Sequence, residues 1–278
     1  MNEIIERKLK DYTPQDSNEE INALKEISQE IILFALSETD FFDKAFFLGG
    51  TCLRIVYGLE RFSEDLDFST IAPDPKFDFD FYMDKVIHTL KAYGLEMHIS
   101  KKKDDTFVKS RELKEDSLKW KLSFPSNQKL KKIMIKLEID SNPPEGAVVE
   151  DKFLDFPQLH RVSVANMPTL FAGKLHALLS RSYTKGRDWY DFLWYIKNHS
   201  GINLLYLAHA LEQMGPFKRG NLKVTRKILL SALDEKIRAN DWEAIRKDVA
   251  RFLKPHELKT LELWGEKLFL DRLAKLEI

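Results

Sequence analysis

The segment "FLGGTCLRIVYGLERFSEDLDFS", residues 47–69, sets two adjacent glycines ahead of two aspartates one residue apart. Ala45-Phe46-Phe47-Leu48 is a short apolar run ending in Gly49-Gly50, which predicts a strand entering a tight turn. Thr51 to Leu59 reads as a short helix with Leu53, Val56 and Tyr57 on one side. Asp65-Leu66-Asp67-Phe68-Ser69 alternates at the strand period, so both aspartates share one face while Leu66 and Phe68 point to the other. A strand, a glycine turn, a short helix and a carboxylate-bearing strand thus follow one another within about twenty residues; such mixed strands and helices, with helices alone after them, predict an α+β fold.

Upstream, residues 18–38 predict a helix from Ile21, Leu24, Ile27, Ile31, Ile32 and Ala35, with Ser17 and Glu20 fitting a capping box. Downstream, a helix is expected over Phe79–Tyr93 and strands over Leu95–Ser100, Leu118–Phe124 and Ile133–Asp140. In the last, Ile133, Ile135, Leu137 and Ile139 alternate with Met134, Lys136, Glu138 and Asp140. After Asn142-Pro143-Pro144, about twenty residues of loop and short strand lead to Met167-Pro168. Helices are then expected over Leu170–Ser182, Asp188–Asn198, Leu204–Met214, Leu222–Ile237, Trp242–Leu253 and Glu257–Leu276. This ordering predicts a core domain over residues 1–166 and a helical domain over 167–278.

The chain has 278 residues, a formal net charge of zero and one cysteine. A lone cysteine excludes an internal disulfide and a multi-cysteine metal site. No apolar run is long enough to span a membrane, and Met1–Glu6 has no signal-peptide pattern, so a cytoplasmic protein without membrane partners is expected. The neutral total conceals a division. Residues 1–100 hold 10 Lys/Arg against 20 Asp/Glu, and residues 101–136 hold 12 against 5. A global basic field is therefore absent, whereas Lys101-Lys102-Lys103, Lys109, Arg111, Lys114 and Lys129-Leu130-Lys131-Lys132 form a local one. Such a run serves either as a solvated face or as a flank for a polyanion.

Two carboxylates side by side on a strand repel each other, and a divalent cation relieves that cost. Asp65 and Asp67 are the candidate metal ligands, and Glu138, with Asp140 as alternate, the candidate third carboxylate for in-line displacement at phosphorus. Gly49-Gly50 would let the backbone approach a triphosphate, with helix N–H groups aimed at it. In "LFAGKLHALLSRSYTKGRDWYDFLWYI", residues 170–196, Lys174 interrupts an apolar helix face and could meet triphosphate oxygens. Asp188 can cap the next helix, with Asp191 one turn on.

In motif order, "GGTCLRIVYGLERFSEDLDFS", "IKLEID" and "AGKLHALLSR…KGRDWYDF" resemble the motifs of the AbiEii/AbiGii-type nucleotidyltransferases. These are toxin components of bacterial toxin–antitoxin and phage-abortive-infection systems, and they include the MenT-like tRNA-modifying enzymes. The resemblance covers most of residues 20–200. It implies a nucleotidyltransferase-fold mixed sheet followed by a helical domain, with the active site between them. It also implies Mg²⁺ on Asp65, Asp67 and Glu138, and an NTP held by Gly49, Gly50, Thr51, Arg61 and Lys174. Asp188 and Asp191 would serve in the catalytic or nucleotide pocket. NMP would pass to an acceptor hydroxyl, expected to be a tRNA 3′ end, with release of pyrophosphate, and a cognate antitoxin protein would accompany the toxin. The alternatives are transfer to a small molecule or a protein hydroxyl, and a catalytically silent nucleotide-binding interaction protein. Steep salt dependence marks RNA transfer against the first, and a complete carboxylate set argues against the second.

Overall fold

The computed structural model describes residues 2–115, 133–215 and 224–277. The expected strand over 118–124, the lysines at 129–132 and the first residues of the expected helix at 222 lie outside them. The chain forms two compact units, one of Met1–Gly58, Ser63–Pro143 and Glu150–Val164, the other of Leu59–Phe62, Pro144–Val149 and Ala165–Ile278.

In the first unit, α1 (Glu3–Asp11), α2 (Ser17–Ser37) and α3 (Phe41–Lys44) precede β1 (Ala45–Leu48), α4 (Gly49–Tyr57) and β2 (Asp65–Thr70). Then come α5 (Phe79–Ala92), β3 (His98–Asp104), β4 (Val108–Glu115), β5 (Ile133–Asp140), β6 (Val149–Leu154) and β7 (His160–Ala165). The strands form a mixed sheet in the order β3-β4-β5-β2-β1-β7-β6. β2 runs antiparallel to β1 and parallel to β5.

α2 begins one residue earlier than the capping box predicts. Asp16 is the cap, its carboxylate accepting the Asn18 and Glu19 N–H groups at 2.6 and 2.9 Å. A carboxylate at this position also complements the helix dipole. The helix is buried along most of its length and packs on α5 and β5. Ile133, Ile135, Leu137 and Ile139 of β5 and Leu66 of β2 are fully buried. Phe68 lies edge-on to Phe41 at 5.0 Å between ring centroids, within an aromatic cluster that includes Phe77 and Tyr82. This apolar face fixes the register, because a one-residue slip of β2 would bury both aspartates.

The second unit carries α6 (Met167–Ser180), α7 (Gly186–Lys197), α8 (Leu204–Gln213), α9 (Arg226–Ala239), α10 (Trp242–Ala250) and α11 (Glu266–Leu273). The helix expected over 257–276 is divided into a 3-10 turn, Leu258–Leu263, and α11, because Trp264 and Gly265 are extended. Trp242 stacks on Phe269 at 4.2 Å, and Trp189 meets both edge-on. Gly186 allows α7 and α10 to approach closely: a Cβ there would lie 2.4 Å from the Ile245 carbonyl oxygen.

Candidate active site

The sheet register brings one group of predicted residues together. β2 pairs with β5 so that Asp65 lies beside Lys136, Asp67 beside Glu138, and Ser69 beside Asp140. Asp65, Asp67, Lys136 and Glu138 are half-buried and share the face opposite Leu66 and Leu137. Asp140 lies one pleat further along, and its Oδ1 accepts the Asn142 N–H at 2.9 Å. Burial raises its carboxyl pKa despite that bond.

Gly49 sits against this pair. Leu48 is the register partner of Asp67, and the chain turns directly into α4 with Gly49 at φ +82°. A Cβ on Gly49 would lie 2.3 Å from Asp67 Oδ2. Glycine is therefore required twice over, for its backbone angle and for the space Asp67 occupies. The first-turn N–H groups of α4, those of Gly50 and Thr51 among them, lack intrahelical acceptors by geometry and are available to an anion. The Thr51 hydroxyl is buried and donates to the Asp65 carbonyl, tying the helix to β2. Any nucleotide contact by Thr51 falls to its backbone. Cys52, next in α4, is fully buried, and burial, with Glu150 and Asp67 adding, pushes its thiol well above the ordinary range.

Lys136 was not among the predicted site residues. Its Nζ lies 2.7 Å from a Glu138 carboxylate oxygen. Burial alone would depress the ammonium, but the bond to Glu138 and the fields of Asp65 and Asp67 outweigh it and raise its pKa. The alternation of β5 places Lys136 on the carboxylate face, so the signal was present in the sequence. The carboxylates are hard oxygen donors of the kind Mg²⁺ takes, and the charge they concentrate is one a divalent cation would relieve. Glu138 is directed at Lys136, however, so a cation bound by all three must displace the ammonium. Among the described residues, three ligand atoms within 4.8 Å of one another occur at Glu60, His256 and Glu257 of the second unit. There Glu257 already accepts the Tyr190 hydroxyl at 2.5 Å and the Lys254 N–H at 3.2 Å.

The second unit gathers the other predicted residues. Lys174 on α6 reaches Asp188 at 2.7 Å and Asp191 at 2.8 Å, both on α7. Asp188 does not cap α7: Lys185 holds the cap position, and the Gly186 N–H donates to Asp248 at 2.7 Å. The Asp188 carboxylate is instead taken by Lys174 and Arg181, a residue that sequence reading did not single out. Burial would raise Asp188, but the two cations outweigh it and hold its pKa below the usual value. Lys174 is likewise disfavoured by burial, and the two aspartates raise it.

Arg61, expected to face phosphate, is committed to a carboxylate and a carbonyl. Only 2% exposed, it grips Asp191, itself fully buried, through two bonds of 2.6 Å and donates to the Phe62 carbonyl at 3.0 Å. A guanidinium so enclosed positions Asp191. Two members of the basic run are likewise committed within the fold. Arg111 is buried between Asp80 and Asp104 at 2.8 and 2.5 Å, and Lys109 donates to the Phe77 carbonyl.

Among the described residues no helix is long and apolar enough to cross a membrane. The fold is similar to that of MenT4, a nucleotidyltransferase toxin from Mycobacterium tuberculosis, at 18% identity and a TM-score of 0.60. The similarity covers 99% of this chain and 89% of that one. A structure named JHP933, from Helicobacter pylori, is 19% identical over 91% of this chain and 94% of its own, with a TM-score of 0.49. No curated protein matches the sequence. The family model of the nucleotidyl transferase AbiEii toxin matches residues 31–267, and the chain accordingly belongs to this family of type IV toxin–antitoxin nucleotidyltransferases.

Proposed function

We propose that the protein transfers NMP from an NTP to a hydroxyl of an RNA, with the 3′ end of a tRNA as acceptor, and that it acts as a toxin held in check by a cognate antitoxin. The observation that supports this most is the β2–β5 register, which aligns Asp67 with Glu138 and Asp65 beside them, with Gly49 closed against Asp67. In this reading Asp65, Asp67 and Glu138 would hold Mg²⁺, which when bound supplies charge neutralisation on the triphosphate and the α-phosphoryl oxygens. Gly49, Gly50 and the Thr51 N–H line the approach of the triphosphate from the helix N-terminus. Lys174 is the cation assigned to phosphate oxygens. Asp188 and Asp191 hold its ammonium, and Arg61 and Arg181 position those two carboxylates. The acceptor oxygen bonds to the α-phosphorus as the bond to the bridging α–β oxygen breaks, so pyrophosphate leaves and the hydroxyl proton passes to solvent or a base. The first unit then serves as the catalytic core and the second as the helical domain that carries Lys174.

The test is incubation with each α-labelled NTP, Mg²⁺ and total bacterial RNA, beside an Asp65→Ala/Asp67→Ala variant of matched thermal stability. Label in a tRNA-sized band with the wild type alone is the expected outcome. Label on the protein itself would indicate a protein acceptor. Transfer that survives in the double variant would remove Asp65 and Asp67 from catalysis.

A further inference from the structure

Strand β3, the outermost of the sheet among the described residues, contains an irregularity that alters what the sheet presents. Pairing with β4 runs His98 to Lys114 and Ile99 to Leu113, then passes over Ser100, so that Lys101 faces Glu112, Lys102 faces Arg111 and Lys103 faces Ser110. Ser100 is the additional residue of a β-bulge, and its hydroxyl donates to Glu112 Oε1 at 2.9 Å. In an unbroken strand Lys101 and Lys103 would share the face of Ile99 and Leu113. The bulge transfers both to the opposite face and returns Lys102 to the side of Arg111, where it meets Asp80 at 3.0 Å. Bulges re-aim side chains in this way beside active sites.

Following the register inward gives two rows across four strands. One runs Lys101, Glu112, Lys136, Asp65; the other runs Lys103, Ser110, Glu138, Asp67. Both rows lie on the carboxylate face. A cavity of about 110 Å³ lies among Lys101, Lys103, Ser110, Glu112, Lys136 and Glu138. Lysines on an edge strand also discourage sheet-to-sheet pairing, but that role needs charge and no particular face. The bulge selects the face. Lys103 is held by Asp105 at 2.9 Å in an exposed pair, which exchanges at little cost.

We propose that Lys101 and Lys103 form a phosphate subsite for the acceptor RNA, holding its backbone upstream of the reacting hydroxyl; this rests on the nucleotidyl-transfer reading above. From β2 to β3 is three strand spacings, about 14 Å. That is too far for the reacting nucleotide and within reach of the nucleotides just behind it. The acceptor then crosses the strands, entering over the β3 edge.

The experiment compares Lys101→Gln/Lys103→Gln with Lys102→Gln, which removes charge from the opposite face of the same strand. Binding of total tRNA is followed by fluorescence anisotropy across a salt series, and the KM values for RNA and NTP are measured separately. For the double variant the KM for RNA should rise about tenfold with the NTP KM unchanged. The slope of log K against log salt should fall by about 1.4, as for two lost contacts to single-stranded phosphates. Lys102→Gln should match the wild type. An unchanged slope, an effect of Lys102→Gln equal to that of the double variant, or a shift confined to the NTP KM would overturn the subsite. A wild type that transfers nucleotide to a non-RNA acceptor and binds no RNA would also overturn it, while leaving nucleotidyl transfer intact. Tight, Lys101/Lys103-dependent RNA binding without transfer would instead sink the catalytic reading.

Discussion

Gly49 and Gly58 flank the same short helix, both with φ near +80°, yet only Gly49 has a carboxylate where a Cβ would go. Gly58 meets nothing within 4 Å. Both Gly49→Ala and Gly58→Ala should cost about 1–3 kcal/mol from backbone strain, read as a lowered melting temperature. Gly49→Ala should in addition abolish nucleotidyl transfer by moving Asp67, whereas Gly58→Ala should retain it. Equal activities in the two variants would show that the position of Asp67 is not critical. Lys136 bears on the same carboxylates. Because its ammonium occupies Glu138, Lys136→Met should tighten Mn²⁺ binding measured by calorimetry in the absence of NTP. Weaker binding would mean that the lysine supports the carboxylates and does not compete for them. The glycine pair and the aspartates were legible in the sequence because alternation and turn chemistry are local. The commitment of Arg61 to Asp191 was not, since its partner lies 130 residues away.

Among the elements, α1 and α2 enclose a titratable group. Glu30 of α2 is buried, with Lys8 of α1 at 3.3 Å and the Tyr12 hydroxyl at 3.5 Å, and burial raises its pKa to about 7. Its folded value therefore lies above the unfolded value of about 4.5. A raised carboxyl stabilises the fold in its protonated form. That contribution, of order 1–3 kcal/mol, is complete below pH 4.5 and lost as pH rises through 7. Thermal melts of Glu30→Gln should show a higher midpoint than wild type at pH 8 and a flatter profile between pH 5 and 8. A wild-type midpoint that rises with pH across this window would contradict the assignment. Between α6 and α7, Asp191→Ala would leave the Arg61 guanidinium buried without its carboxylate. A loss of about 3–5 kcal/mol is expected in chemical denaturation, and Arg61→Lys should recover little of what Arg61→Ala loses, because the two-pronged bond needs a guanidinium. Most helices were readable from their period, but β4 was not. Its buried side includes Arg111 and Glu115 and its other side is polar apart from Val108, so no apolar alternation marks it.

The α+β class and the position of β1, β2 and β5 followed from short apolar runs, and the helical character of the later chain from its spacing. What spacing could not supply was pairing. The parallel register of β2 with β5 sets Glu138 beside Asp67 and Asp140 beside Ser69, and no local pattern encodes a partner some seventy residues away. The same limit concealed the bulge at Ser100, visible only once β3 has β4 beside it. The lone cysteine has a further use. Because the Cys52 thiol is fully buried on the helix that begins at Gly49 and is held in its unreactive form, a thiol-specific dye can reach it only when that helix lifts or the first unit opens. The chain thus contains its own exchange clock. The rate of labelling in native buffer measures the population of open molecules, and its slowing by NTP would register occupancy of the neighbouring turn in a protein carrying no other modification.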